Sequence, residues 1–109
     1  MHTVYHVSDV EAYRTAEAKV RNLLDDDTLD IDAVAVVADR PTVIDAAAMD
    51  CRATTDALVE MSATVKLCSN AARGADAGEG DFGAGVEFVS SGVGELTRLQ
   101  DSGWAYIRL

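Results

Sequence analysis

The sequence predicts an α/β domain built on a five-stranded, mainly parallel sheet with helices on both faces, and three observations carry that reading. Short β-branched or apolar runs alternate with amphipathic stretches in the order β-α-β-α-β-α-β-α-β, which calls for right-handed crossovers. One run, Ile31 to Ala38 (IDAVAVVA), is almost unbroken apolar, as in a strand buried on both faces of a parallel sheet. A length of 109 residues supports one such core and not a second, so residues 1–109 read as a single domain.

Thr3 to Val7 (TVYHV) form the first strand, and Ser8 or Asp9 offers the cap of a helix. From Val10 that helix repeats apolar residues at spacings of three and four (Val10, Tyr13, Ala16, Val20, Leu23, Leu24), and Asp25 to Asp27 close it. After the central strand, Asp39-Arg40-Pro41 is a break and Thr42 a cap. One helix then carries Ile44, Ala47, Ala48, Cys51, Thr55, Leu58 and Met61 on a single stripe. Ala63 to Cys68 is the third strand, followed by a short helical turn over Ser69 to Arg73 that Gly74 ends. Gly74 to Gly85 (GADAGEGDFGAG) is the expected mobile loop, placed to control access to a site. Val86 to Val89 is the fourth strand, Gly92 to Gln100 a helix with Val93, Leu96 and Leu99 inward, and Trp104 to Ile107 the last strand.

Composition excludes several functions. The longest apolar run falls far short of the ~20 residues of a membrane span, and the N-terminus has neither the basic nor the apolar region of a secretory signal, so the expected compartment is the cytoplasm. Lys and Arg total 9 against 19 Asp and Glu, a net charge of −10 without a basic cluster, which excludes nucleic acid as a partner. This bias, with Asp favoured over Glu and lysine scarce, resembles proteins of salt-loving archaea, where high salt screens self-repulsion. Cys51 and Cys68 lie without a CxxC or a nearby His pair, so no metal site is indicated and both read as free thiols. His2 and His6, four apart on a strand, stand about 13 Å apart, too far to share an ion. The glycine-rich loop matches neither nucleotide-binding fingerprint, and no cofactor is expected.

In sheets of this kind ligands bind beyond the carboxyl ends of the strands, a rule that selects His6, Cys68 and the Ser90-Ser91-Gly92 turn. Cys68 has the position of a reactive thiol, because unpaired N–H groups and the positive end of a helix favour the thiolate. His6 is a proton donor or acceptor for it if the first and third strands are neighbours. Ser69, Asn70 and Arg73, on the turn after Cys68, can hydrogen-bond or hold an anion, and Ser91-Gly92 offers backbone donors at another helix start. Cys51, on the apolar stripe, reads as structural.

Three stretches, HVSDVEAYRTAEAKVRNLL (6–24), VKLCSNAARG (65–74) and GVEFVSSGVGELTRLQDSGWAYIRL (85–109), resemble the DsrE/DsrF-like family. The marks are a cysteine-asparagine turn, a GV-E-V-SGV-EL segment and a closing LQ-x2-G-aromatic-A-Y-I; residues 39–62 match least. The resemblance implies a three-layer αβα sandwich of the DsrEFH-like, flavodoxin-like topology class that assembles as a homo-oligomer, a trimer or hexamer. It also implies persulfide transfer through one cysteine in some relatives, at the position of Cys68. The chain departs from the pattern at Ser90, where proline is common, at Trp104, where tyrosine is usual, and in the acidic loop before the fourth strand. The expectation is a sulfur carrier that exchanges sulfur with a donor or acceptor protein. The alternatives are a non-catalytic oligomeric subunit and a small-molecule binding module using the strand-end cleft.

Overall fold

In a computed structural model that describes residues 1–109, β1 (His2–Val7) hands over to α1 (Val10–Leu24) through Asp9, whose carboxylate accepts the Ala12 N–H at 2.7 Å. That bond satisfies one of the four donors a helix start leaves free. The chain continues through β2 (Ala33–Ala38), α2 (Pro41–Ala48), α3 (Arg52–Glu60), β3 (Thr64–Cys68), α4 (Ser69–Ala72), β4 (Val86–Val89), α5 (Gly92–Asp101) and β5 (Ala105–Arg108).

The expected single helix over 42–61 is two helices. Pro41 opens α2 at its first turn, capped by Arg40 rather than Thr42, and the helix leaves α geometry at Met49. The Cys51 N–H returns to the Ala46 carbonyl at 2.6 Å, and α3 restarts at Arg52. Thr55 holds the joint together: its hydroxyl donates to the Ala47 carbonyl at 2.8 Å and accepts from the Tyr13 hydroxyl at 2.6 Å. Periodicity carried the stripe across the break because Ile44 and Ala47 before it, and Cys51, Thr55 and Leu58 at and after it, are all buried.

All four strand pairings are parallel, in the order β4-β3-β2-β1-β5. The chain steps outward from β1 to β4 and then returns across the sheet to place β5 on the other side of β1. Crossovers of one hand put helices of the outward steps on one face and the helix of the return step on the opposite face. Accordingly α1, α2 and α3 bury the larger core, with Tyr13, Val20, Ile44 and Leu58 against Tyr5, Val7, Val36, Val65 and Leu67. On the other face α5 packs Leu96 and Leu99 on Val4, Ala35 and Val37. The result is a three-layer αβα sandwich. It is doubly wound like flavodoxin, whose reversal of strand order falls between its first and third strands; here the reversal falls between β1 and β5.

Two further expectations are corrected. Val93 points to solvent, 69% exposed, and Glu95 takes the inward place at 3%. The inward face of α5 is centred on Gly92, Leu96 and Leu99, about one residue round from the predicted stripe. The glycine-rich loop is fastened to α2 and α3: Asp45 accepts the N–H groups of Asp76 and Ala77, and Arg52 donates to the Asp81 carbonyl at 2.8 Å. No helix is long and apolar enough to cross a membrane.

Candidate functional site

Side chains alternate across a strand, so His6, two residues beyond Val4, and Cys68, two beyond Lys66, share the α5 face at the carboxyl end of the sheet. They are not neighbours. β2 lies between β1 and β3, so two strand spacings, about 10 Å, separate them. The gap is filled by Asp39, the first residue after β2. A β-carbon built on Gly92 would meet the Asp39 β-carbon at 3.0 Å and the Cys68 β-carbon at 3.6 Å. Glycine at this position therefore lets the first turn of α5 settle between the ends of β2 and β3.

Cys68 is 7% exposed, and its Sγ accepts the Ala71 N–H at 3.4 Å. α4 has only four residues and brings little of the dipole expected at this helix start. Asn70 and Arg73 are exposed and Ser69 half-buried. Ser91 caps α5, its Oγ accepting the Gly94 N–H at 3.0 Å.

His6 is 7% exposed and has partners on both ring nitrogens. Nε2 lies 2.7 Å from the Asp39 carboxylate, an acceptor, and so carries the proton. Nδ1 faces two donors, the Tyr106 hydroxyl at 2.7 Å and Arg108 Nη1 at 3.2 Å, and so is the acceptor. The network thereby assigns a neutral imidazole. Ser8 donates to the other Asp39 oxygen at 3.0 Å. Burial works to raise the Asp39 carboxyl, but the hydrogen bonds it accepts from His6 and Ser8 outweigh it and hold the group below its ordinary value.

Deeper on the same face, Lys66 Nζ meets Glu95 Oε2 at 2.5 Å and Glu87 at 3.5 Å. Arg98 Nη1 lies 3.0 Å from Glu95 Oε1, an atom that receives no aligned hydrogen bond. Two surface hollows of about 230 and 300 Å³ lie beside α3 and α2, lined by residues such as Arg52, Phe82, Met49 and Asp76, and touch neither Cys68 nor His6. Cys51 sits at the α2–α3 break, 2% exposed, with Arg14 Nε donating to its Sγ at 3.2 Å.

Sequence reasoning passed over Asp39, Tyr106 and Arg108 as site residues. The strand-end rule that selected His6 applies equally to Asp39, the next residue after Ala38. For Tyr106 and Arg108 the missing fact is the pairing of β5 with β1, which sets His6 opposite Arg108.

Among solved structures, the chain is similar to a protein of unknown function, MTH1491 from Methanobacterium thermoautotrophicum. The TM-score is 0.83 and the identity 30%, over 99% of this chain and 98% of that one. The chain belongs to the MTH1491 family. No protein-family model matches it, and no curated protein does. Kinship with MTH1491 accounts for the shared αβα fold, and any role must be argued from the side chains.

Proposed function

We propose that this member of the MTH1491 family is a DsrE-like sulfur carrier that takes a sulfane sulfur on Cys68 and hands it to a partner thiol. The supporting observation is the setting of Cys68 at the carboxyl end of an inner strand, its Sγ already receiving a backbone N–H from the turn that follows. In the reaction the Cys68 thiolate attacks the outer sulfur of a donor persulfide. The donor S–S bond breaks, its electron pair leaves on the donor thiolate, which takes up a proton, and a new S–S bond forms at Cys68. Attack by the acceptor thiolate on that outer sulfur restores Cys68. The Ala71 N–H and the Ser69-Asn70 turn stabilise the persulfide anion, Arg73 and the Ser91-Gly92 turn border it, and His6 acts on it through Asp39. Because Cys68 is nearly buried, the partner opens the site by displacing α4, a helix of only four residues.

The same reading places the protein in the reducing cytoplasm of a salt-adapted cell and as a homotrimer or hexamer, with both cysteines free. Self-association is supported by β5, whose four residues are all exposed although parallel strands are ordinarily covered on both faces. Ile107, 38% exposed on the α1 side, is the apolar residue a second copy covers. Light scattering in molar salt is expected to show the oligomer, and a monomer there counts against this part of the reading.

The deciding experiment is peptide mass spectrometry after treating folded protein with a sulfane-sulfur donor, Cys51 serving as internal control. Reductant-reversible gain of sulfur at Cys68 alone is the expected result. No gain at either thiol removes the carrier function.

A further inference from the structure

His6 breaks the pattern of its strand. Its neighbours Val4, Val7, Val36 and Val37 are fully buried aliphatic side chains, and a valine at position 6 would pack without any need for hydrogen bonds. A buried imidazole kept in such a setting, with every nitrogen partnered, departs from the local rule in the way functional positions do. Its partners also run in one direction. Ser8 and Asp39 hold the inner nitrogen, whereas the outer nitrogen meets Tyr106, 40% exposed, and Arg108, also exposed. A line of hydrogen bonds thus leads from a carboxylate through a neutral imidazole to a phenol open to solvent. A base oriented by a carboxylate and facing a hydroxyl is the general arrangement for moving a proton to or from that hydroxyl. It also stands at the reversal of strand order between β1 and β5, where sheets of this class bind ligands.

Arg108 supplies the charge. It pairs with no carboxylate, in a chain that carries 19 of them, and its one side-chain hydrogen bond goes to His6. Its remaining N–H donors lie free beside the Tyr106 hydroxyl, since both groups reach the same nitrogen. The guanidinium, with N–H donors to spare, matches the two oxygens of a carboxylate, and the Tyr106 oxygen, its own proton given to His6, turns a lone pair toward a proton on the bound molecule.

We propose that Tyr106 and Arg108 form the binding face of a second site, for a small carboxylate-bearing molecule, where the Tyr106 hydroxyl moves a proton between that molecule and the His6–Asp39 pair. The bound molecule releases a proton to Tyr106 Oη as Oη passes its own to His6 Nδ1. The electron pair stays on the molecule, and the imidazolium keeps its Nε2 proton on Asp39. Protonated Nδ1 no longer accepts from Arg108, whose donors turn to the bound anion. The reverse sequence returns the proton. Asp39 is the positioning residue, and the site needs no part of Cys68.

Nitrogen-15 NMR of the His6 ring tests this, with acetate and inorganic phosphate as probes. The free protein is expected to show a protonated Nε2 and a bare Nδ1. Acetate should shift the His6, Tyr106 and Arg108 signals to saturation, and more strongly than phosphate. Arg108→Met should weaken acetate at least about tenfold, the loss of a charge-assisted pair. Tyr106→Phe should move the Nδ1 resonance and leave Nε2 in place. Both variants change exposed side chains, and the fold is expected to survive. Cys68→Ser should leave every one of these responses intact, so failure of the sulfur reading and failure of this one are separable. A protonated Nδ1 in the free protein, no saturable shift with acetate, or an undiminished shift in Arg108→Met would each overturn the proposal.

Discussion

On one face of the sheet α1, α2 and α3 bury a cluster of seventeen residues; on the other, α5 alone covers a cluster of five. The thick face is apolar but for a few satisfied hydroxyls such as the Tyr13–Thr55 pair. The thin face carries His6, Asp39, Cys68, Lys66 and Glu95. Topology explains the difference: three crossovers lie on the first side and one returning helix on the second. Apolar burial is concentrated on one face, and ionisable chemistry on the other.

The largest effect expected from this contrast comes from cavities. Leu58→Ala on the thick face should cost about 4 kcal/mol and Leu96→Ala on the thin face about 2 kcal/mol, because a fully enclosed site relaxes less. Denaturant unfolding at fixed salt measures both, and equal costs would show the faces to be equally well packed. Next is the buried ion pair. Lys66→Met leaves the Glu95 carboxylate with Arg98 as its sole countercharge and should cost about 3 kcal/mol, whereas Lys66→Met with Glu95→Leu should regain most of that loss. A double variant no more stable than the single one would contradict this account of Glu95.

Smaller effects appear in the pH profile. Burial pushes the Tyr13 hydroxyl up to about 12 from 10.0, the Thr55 hydrogen bond opposing only in part. The unfolded chain therefore releases this proton first. Stability is complete below pH 10.0, falls by about 3 kcal/mol as the pH climbs toward the folded value, and then levels off. Tyr13→Phe should flatten that alkaline limb. Asp39 acts at the other end with the opposite sense. Its folded value lies below 3.8, so its contribution is full above that point and is lost as the pH falls through the lowered value. Asp39→Asn should make the acid limb shallower, and an unchanged limb would mean that the His6 and Ser8 bonds do not hold the carboxylate.

Much of the fold was legible because burial leaves a periodic trace. The five strands and the α1 and α5 helices fall within about two residues of their predicted bounds, the tolerance of such boundaries. The α2–α3 break was not legible: Met49-Asp50-Cys51 contains no glycine or proline, and the joint depends on Thr55 capturing a carbonyl eight residues back. The candidate site divides in the same way. Cys68, His6 and the Ser91-Gly92 turn were found by the strand-end rule, which uses only local order along the chain.

What the sequence determined by itself was therefore the alternation of elements, the apolar centre at β2 and the residue types waiting at the strand ends. Strand order was decided by the tertiary structure alone. It set β2 between His6 and Cys68, brought Asp39 into that gap, and laid Tyr106 and Arg108 of β5 against His6, about a hundred residues away along the chain. The reason is physical: periodicity records whether a side chain is buried, and strands of equal apolar character record nothing about which neighbour buries them.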